Sequence, residues 1–382
     1  MEASTTRGHN RALVLKAAFD ADDITRTQIE TATGLSKATV SRMVDELIQE
    51  GLLNEGASLH RTGRGRKSSY IELGPATGCV VGVDLGITTC RLWCSDLRGN
   101  ELSRSRFDTP HGLSRLALVR FIIGAVNALV GGTSMGGRLS GITVAVASSV
   151  RNATTVVRPA DVFAHIEGEQ FHKALTRHAG VPVTLDSDSN MALRGEMTAG
   201  AAIGVANVAL LTVSTGVGAG IAIDGKLLRG TRSVIGELGS LPIDMGRRRL
   251  EDVLSVRGLT STAHRAGIEL AALDKIIDAP PQSPLAELRD QFVHGLVSAV
   301  SAITLTSDPD LIIFNGRIIP LVQSVLDRVR TTLSQTLPAV PTLQVTASDG
   351  FSAAHGAAVS AVESAHNDLL ERARNDRLID AG

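Results

Sequence analysis

The sequence is poor in cysteine and in aromatic residues. Its 382 residues include three cysteines, eight Phe, one Trp and one Tyr. Three cysteines cannot supply the disulfide framework of a secreted scaffold in a chain of this length. Because aromatic residues make up only 3% of the chain, few rings are available to stack on a sugar.

The chain also lacks an excess of charge of either sign. It has 38 Lys and Arg against 39 Asp and Glu, a formal net charge of -1. This balance excludes a polycation that coats nucleic acid or an anionic membrane, although it allows a local basic patch. With 43% hydrophobic and 20% charged residues, the composition is that of a globular protein with two or three domains.

No uninterrupted hydrophobic run is long enough for a membrane span. The two most apolar stretches, residues 118–131 and 199–213, contain Arg120, Asn127 and Asn207 and are shorter than a span needs. The first residues lack the apolar segment of a secretory signal. We therefore expect a cytoplasmic, nucleoid-associated protein without membrane contact.

Residues 9–50 carry the pattern of three short helices. Thr25 and Gln28 form a capping-box signature before the second helix, and Gly34 ends it. Ser36 is a suitable N-cap for a third helix over residues 37–50. Two helices joined by a tight, glycine-containing turn are typical of a helix-turn-helix.

The third helix has two contrasting faces. Its apolar residues recur at helical spacing and comprise Val40, Met43, Val44, Leu47 and Ile48. The opposite face has short polar side chains and cations, which suit a major groove about 12 Å wide. Taken alone, this face could also be an ordinary solvated surface. The residues predicted to contact DNA from this motif are Thr25, Ser36, Lys37, Ala38, Thr39, Ser41 and Arg42.

A basic, glycine-interrupted segment follows the third helix. Residues 52–55 and 68–73 have the pattern of two strands, and residues 60–67 between them contain no acidic residue. A basic tip between two strands after a recognition helix indicates a wing that reaches the DNA backbone or minor groove. The cations predicted to contact DNA from this tip are Arg61, Arg64, Arg66 and Lys67. Residues 1–74 are thus predicted to form a winged helix-turn-helix domain.

From residue 78 onward, buried-type strands alternate with helices. The pattern repeats in two similar halves, which predicts two α/β lobes with a cleft between them. We place the first lobe at residues 75–190 and the second at 191–382. The final helix, predicted over residues 352–372, is free to return to the first lobe.

Three segments in this region have the residue types of a ligand site. Asp84 and Gly86 follow a buried strand, where backbone N–H groups can meet phosphate and a carboxylate can hold Mg²⁺. Residues 214–220 (STGVGAG) join two apolar strands. Asp188 lies at a strand end that opens a helix, where it can act as a base or as an acceptor. For each segment alone, the alternative is a plain hairpin turn or a helix cap.

Together these segments resemble the ROK family (repressors, open reading frames and sugar kinases). The order is DxGxT at Asp84, Ser187-Asp188-x-Asn190, STGxGxG at Ser214 and Gly236-Glu237-Leu238-Gly239. Residues 349–358 resemble the family's adenosine-side motif. The wing and strand before residue 75 resemble the branch that includes the N-acetylglucosamine and xylose repressors. The resemblance covers nearly the whole chain.

The resemblance implies an actin-like, hexokinase-type ATPase fold with sugar between the lobes. In kinase members, the residue at the position of Asp188 takes the proton from the sugar hydroxyl. The effector-binding residues that it implies here are Ser187, Asp188, Glu237, Ser240 and Glu251. The vestigial nucleotide site that it implies comprises Asp84, Gly86, Thr88, Thr215, Gly216 and Gly218.

The chain departs from the kinase pattern at five places. Ile87 replaces the second glycine of the first loop, and residues 145–149 (AVASS) replace a Pro-Gly-Pro loop. Ser187 replaces an Asn and Ser240 replaces a zinc-binding His, while residues 242–251 contain no Cys or His. Family zinc needs one His and three thiolates in a tetrahedral array. We therefore expect no zinc, no bound ATP or Mg²⁺, no catalytic residue and no metal ligand.

The expected function is a DNA-binding transcriptional regulator, most simply a repressor of carbohydrate genes. Its partners would be palindromic double-stranded operator DNA, a sugar or sugar-phosphate effector, and a second copy in a homodimer or tetramer. Two alternatives remain open. One is an active ATP-dependent sugar kinase fused to a DNA-binding domain, and the other is a DNA-binding dimer that senses no ligand.

Overall fold

The computed structural model describes residues 2–58, 69–133, 138–244, 247–269 and 274–375. The N-terminal part forms three helices and a three-stranded sheet of order β1-β3-β2. Its elements are α1 (Glu2–Phe19), β1 (Ile24–Thr25), α2 (Arg26–Thr33), α3 (Lys37–Gln49), β2 (Leu53–Ser58) and β3 (Ser69–Leu73). This arrangement of helices and paired strands is the predicted winged helix-turn-helix.

The turn between α2 and α3 is built by local capping. The Thr25 hydroxyl accepts the Gln28 N–H at 3.3 Å, and the Gln28 side chain accepts the Thr25 N–H at 2.9 Å. Gly34 closes α2 with a φ of 70°, which is the left-handed region that glycine enters without steric cost. The Ser36 hydroxyl then accepts the Thr39 N–H at 3.3 Å and starts α3. The predicted capping box and helix-turn-helix are confirmed.

The first lobe is a five-stranded mixed sheet of order β10-β7-β4-β5-β6. Every residue of β4 is buried, because helices cover the sheet. The elements are β4 (Cys79–Leu85), β5 (Thr89–Asp96), β6 (Glu101–Asp108), α4 (Arg115–Gly131), β7 (Leu139–Val146), β8 (Ser149–Arg151), β9 (Thr155–Val157), α5 (Gln170–Ala179) and β10 (Val183–Ser187). Strands β4, β5 and β6 form an antiparallel meander. Strand β7 pairs in parallel with β4, and β10 pairs in parallel with β7.

The second lobe repeats this plan. Its sheet order is β13-β12-β11-β16-β17, with an antiparallel meander followed by two parallel strands. Its strands are β11 (Val208–Val213), β12 (Val217–Ile223), β13 (Lys226–Leu227), β16 (Leu311–Asn315) and β17 (Thr342–Val345), with the small hairpin β14 (Pro242–Ile243) and β15 (Arg248–Arg249) between them. The turns after β4 and after β11 therefore hold corresponding places in the two lobes.

Helices cover the second sheet and connect it to the first. The covering helices are α7 (Leu250–Leu254), α8 (Val256–Arg265), α9 (Asp274–Ile277), α10 (Pro284–Ser307) and α11 (Ile319–Thr336). Two further helices, α6 (Asp188–Ala199) and α12 (Ser352–Arg374), pack on each other, and α12 also lies on β4 and β7 of the first sheet. The predicted lobe boundary at residue 190 falls inside α6.

The DNA-binding module shares a hydrophobic core with the body. Buried residues of α1 and α3 pack in one cluster with Val80, Leu97 and the C-terminal half of α12. A Cβ atom at Gly8 of α1 would lie 2.1 Å from the Arg374 carbonyl oxygen, so the two helices approach as closely as only glycine allows. The module is thus fixed directly to the last helix of the body. None of the described helices is long and apolar enough to cross a membrane.

Candidate DNA-binding and effector sites

Helix α3 presents a polar face to solvent. Val40, Met43, Val44 and Leu47 are fully buried beneath it, as the apolar stripe predicts. Lys37, Ala38 and Arg42 are exposed, and Ser36, Thr39 and Ser41 lie beside them at the same end of the helix. This end has short side chains and two cations, which is the surface that close approach to base edges requires.

Thr25 was also predicted to contact DNA, and the structure places it at the start of α2. It is buried, and its hydroxyl and N–H are both used in the capping box with Gln28. Its observed role is helix capping, and its contact with DNA stays a prediction.

Arg26 was missed by the sequence reading. It donates to the Ser41 carbonyl oxygen at 3.2 Å and pairs with Asp45 at 2.8 Å and Glu55 at 2.9 Å. This residue therefore holds α2, α3 and β2 in one arrangement. The predicted wing residues Arg61, Arg64, Arg66 and Lys67 lie outside the described residues.

In the body, Asp188 begins α6 and lies in an acidic neighbourhood. Its Oδ1 accepts the Ser189 N–H at 2.7 Å and the Ser189 hydroxyl at 3.2 Å. Burial first, and then the nearby charges of Asp84 and Glu237, raise the pKa of Asp188 to about 7, although the Ser189 hydrogen bonds oppose the rise. A carboxyl group with this pKa can accept a proton or a hydrogen bond from a ligand hydroxyl near neutral pH.

Asp84 is the second-last residue of β4 and is bound by a cation from its own lobe. Arg91 of β5 donates to the Asp84 Oδ2 at 3.2 Å. Burial raises the pKa of Asp84 to about 6, while the Arg91 charge acts in the opposite direction. Arg91 therefore supplies positive charge at the position where family resemblance implies a metal-bound nucleotide. Ile87, in the following turn, packs against the core of the first lobe.

The other predicted nucleotide-site residues have structural roles as well. Gly86 lies in a tight turn, where an added Cβ would be 2.8 Å from the Thr89 carbonyl oxygen, and Thr88 is exposed. Thr215 and Gly216 form the β11–β12 turn. A Cβ at Gly218 would lie 2.9 Å from the Ser189 hydroxyl oxygen. This glycine therefore lets β12 pack against the start of α6.

The other predicted effector residues differ in their surroundings. Glu237 accepts a short hydrogen bond from the Ser149 hydroxyl of the first lobe. The Ser187 hydroxyl caps α6 by accepting the Asn190 N–H at 3.3 Å. Ser240 is exposed. Glu251 lies beside the glycine turn of the second lobe and pairs with Arg257 at 3.1 Å.

Asp186, at the end of β10, is a further acidic residue of this region that the sequence reading did not select. Its Oδ1 accepts the Asn190 side-chain amide at 2.9 Å, and its Oδ2 accepts Arg229 at 2.5 Å. Arg229 follows β13 in the second lobe, so this ion pair crosses from one lobe to the other. Such a pair, 43 residues apart, leaves no local pattern in the sequence.

The segment where the family binds zinc does not offer zinc ligands. Residues 242–251 lack Cys and His, and Arg248 pairs there with Asp244 and Gln291, at 2.6 Å and 2.7 Å. All three cysteines are instead buried in the strands of the first lobe. The donor set at this segment therefore does not fit a tetrahedral zinc site.

The contact between the DNA-binding module and the body contains a histidine. The rings of Phe19 and His366 stack at 3.9 Å with an interplanar angle of 7°. The His366 Nε2 is 2.8 Å from the Leu97 carbonyl oxygen, and burial lowers the pKa of His366. Arg98, the residue after Leu97, donates to the Ala21 carbonyl oxygen at 2.6 Å. Helix α1, the β5–β6 turn and α12 therefore meet at this point.

A winged helix-turn-helix fixed to a two-lobed α/β body defines a class of proteins that join DNA binding to a sugar-kinase-like cleft. The model of the ROK family matches residues 80–363. The chain therefore belongs to the ROK family, which confirms the resemblance drawn from its motifs.

Two relatives are described as xylose repressors. The protein from Staphylococcus xylosus is 24% identical over 344 residues, which are 87% of this chain and 89% of that one. The protein from Caldicellulosiruptor bescii is 28% identical over 238 residues, which are 62% of this chain and 59% of that one. The alignment thus spans less than two thirds of the length of the second relative.

A solved structure supports the fold over nearly the whole length. It is a crystal structure of a ROK family transcriptional regulator, described as a homolog of the E. coli MLC protein. Its TM-score is 0.73 at 19% sequence identity, and the match covers 97% of this chain and 100% of that chain. At this identity, the likeness establishes the fold, and the predicted two-lobed, hexokinase-type architecture is confirmed.

Proposed function

We propose that this chain is a transcriptional repressor of carbohydrate genes that responds to a sugar or sugar phosphate bound between its lobes. The observation that carries this proposal is the shared core between the DNA-binding module and α12. Through this core, a rearrangement of the lobes reaches the DNA-binding helices. The relatives described as xylose repressors support the same function.

The DNA contacts follow from the exposed end of α3. Lys37, Ala38, Ser41 and Arg42 would meet base edges and phosphates in the major groove, while the wing cations would contact the backbone. A homodimer would place two such helices on half-sites about one helical turn apart, so the operator would be palindromic.

Regulation would be a shift between two lobe arrangements. An effector changes DNA affinity only if it binds one arrangement more tightly than the other. Carboxyl groups of the cleft, including Asp188 and Glu237, would accept hydrogen bonds from sugar hydroxyls. Helix α12 packs against α6, which carries Asp188, and against α1 of the DNA-binding module. It would therefore transmit the shift.

The experiment is a genome-wide pull-down of DNA fragments with the purified full-length protein, without ligand and with pools of sugars and sugar phosphates. We expect discrete palindromic sites whose recovery changes with one pool. Discrete sites whose recovery changes with no pool would support the alternative of a DNA-binding dimer that senses no ligand. Absence of discrete sites would contradict DNA-binding regulation.

A second candidate function is a sugar kinase, and Asp188 is the residue that favours it. We propose instead that the body binds sugar without phosphorylating it, since Arg91 is bound to Asp84 and Ile87 stands in place of the second glycine of the first loop. The test is an ATP-dependent phosphorylation assay over a hexose and pentose panel. Turnover that disappears in Asp188→Asn would establish the kinase and overturn this proposal.

We also propose that the fold needs no zinc, because residues 242–251 contain no Cys or His, and no nucleotide cofactor, because Arg91 is bound to Asp84. Elemental analysis of the purified protein should find less than stoichiometric zinc, and a chelator should leave the unfolding temperature unchanged. Zinc at one equivalent per chain, or destabilisation by the chelator, would contradict this statement.

A further inference from the structure

Among the residues that the structure describes, at least four polar contacts of the protein itself join one lobe to the other across the cleft. The Ser149 hydroxyl donates to Glu237, and the Ser233 hydroxyl donates to the Val150 carbonyl oxygen at 2.9 Å. The other two contacts are the ion pairs Arg229–Asp186 at 2.5 Å and Arg257–Asp161 at 3.1 Å. In each contact, one partner belongs to the first lobe and the other to the second.

The four contacts differ in their expected strength. Arg257 and Asp161 are 61% and 95% exposed, and water and salt screen such a pair to little net effect. Ser149 is only 4% exposed, and its acceptor is a carboxylate. Hydrogen bonds to charged acceptors are about twice as strong as neutral ones. The Ser149–Glu237 bond is therefore expected to be stronger than the exposed Arg257–Asp161 pair.

The Ser149–Glu237 hydrogen bond joins the same two groups as the bond expected between the effector and Glu237. An alcohol hydroxyl donates to a carboxylate, as a sugar hydroxyl would. Glu237 follows Gly236, whose φ is 85°, and its charge lies close enough to Asp188 to raise the pKa of that residue. Ser149 lies in residues 145–149 (AVASS), the segment that departs from the family's Pro-Gly-Pro loop.

We propose that Ser149 acts as an internal competitor for the effector, holding Glu237 and the two lobes together until a ligand hydroxyl replaces it. This inference rests on the proposed function, because it concerns the same cleft. A binding-competent state that is only partly populated weakens the apparent affinity in proportion to its population. Ser149 therefore sets the sugar concentration at which the protein responds.

The neighbouring Ser148 offers a matched control. Its hydroxyl donates to the Val157 carbonyl oxygen at 2.8 Å and the Ser149 carbonyl oxygen at 3.1 Å, both inside the first lobe. Ser148→Ala removes the same atom one residue away without touching the second lobe. Ser233→Ala gives an independent variant, because it removes a different crossing bond and leaves both Ser149 and Glu237 in place.

The first test is calorimetric titration of the full-length protein with D-xylose and with D-glucose. Ser149→Ala should bind the active sugar about fivefold more tightly than wild type, the effect of one hydrogen bond in the competing state. Ser233→Ala should shift affinity in the same direction, and Ser148→Ala should match wild type. Equal or weaker sugar binding by Ser149→Ala would overturn the proposal.

The second test needs no ligand. Amide hydrogen exchange of the free protein should be faster around residues 149–151 and 233–240 in Ser149→Ala than in Ser148→Ala, since the lobes separate more often. Unchanged exchange would overturn the proposal. If neither sugar bound any variant while exchange still accelerated, the sugar-binding function would fail and the internal contact would stand.

Discussion

At the scale of single residues, the cleft is defined by carboxyl groups in unequal surroundings. Asp84 has Arg91 as a partner at 3.2 Å, whereas Asp188 has the hydrogen bonds of Ser189 and the negative charges of Asp84 and Glu237 nearby. Burial and the neighbouring negative charges therefore disfavour the charged form of Asp188.

The pKa of Asp188 leads to a prediction about stability. Because the folded state raises this pKa from 3.8 to about 7, the protonated form is favoured, and its contribution to stability is full below pH 4. That contribution is lost as pH rises from about 4 toward 7, because the unfolded chain then releases the Asp188 proton while the folded chain retains it. Asp188→Asn does not titrate, so its stability relative to wild type should increase between pH 5 and pH 8.

The measurement is the thermal unfolding temperature of both proteins at the two pH values. We expect the stability of Asp188→Asn relative to wild type to rise by about 2 kcal/mol from pH 5 to pH 8. Asp108→Asn, at an exposed position of β6, is the control and should show no such trend. A constant difference between Asp188→Asn and wild type across this range would contradict the electrostatic picture.

At the scale of elements, the sequence predicted what local patterns encode. The capping box of Thr25 and Gln28, the buried stripe of α3 and the buried strand β4 all depend on residues close in the chain. The same local reading overlooked the edge strand β6, whose residues are mostly exposed and polar. For Thr25 the sequence supported both a cap and a DNA contact, because these roles share the same residue type, and the structure shows the cap.

Helix α3 carries the prediction that belongs to this scale. Arg42→Ala should weaken binding to the specific operator by about tenfold, the discrimination that one good base contact provides. The Arg42→Ala variant should fold like wild type, because Arg42 is exposed and lies opposite the buried stripe of α3. Fluorescence anisotropy with operator and with unrelated DNA measures the loss.

The matched control for Arg42 is Arg120→Ala, which removes an exposed arginine from α4 of the body. It should bind the operator like wild type. Equal operator affinity for Arg42→Ala and Arg120→Ala would show that α3 is not the recognition helix.

At the scale of the whole molecule, contacts between distant parts of the chain join the two lobes to each other and α12 to the first lobe. The sequence did not reveal these contacts. Ser149 meets Glu237 across 88 residues of chain, and His366 meets Leu97 across 269. Periodicity cannot report such pairs, because each partner is ordinary in its own segment. Family resemblance located Glu237 and Asp188 but not the residues of this chain that bind or face them.

The junction between α1 and α12 predicts a change in coupling. Phe19→Ala removes the ring that stacks on His366 and should loosen the connection between body and DNA-binding module. We expect the variant to bind sugar and operator separately, with the effect of sugar on operator binding reduced to less than about half of the wild-type coupling energy. Phe107→Ala, at an exposed ring on β6, is the control.

Titration of the operator in the presence and absence of sugar measures this coupling for both variants. If Phe19→Ala kept the full coupling energy between sugar and operator binding, the contact between Phe19 and His366 would not transmit the change in lobe arrangement.

The central claim is that a sugar in the cleft changes the affinity of the same chain for DNA. The most direct measurement is the dissociation constant of full-length protein for its operator, at one fixed salt concentration, with and without saturating D-xylose or D-glucose. The account predicts a change of about fivefold or more, together with an equal change in sugar affinity when operator is present. A sugar that binds the cleft yet leaves operator affinity unchanged would contradict it.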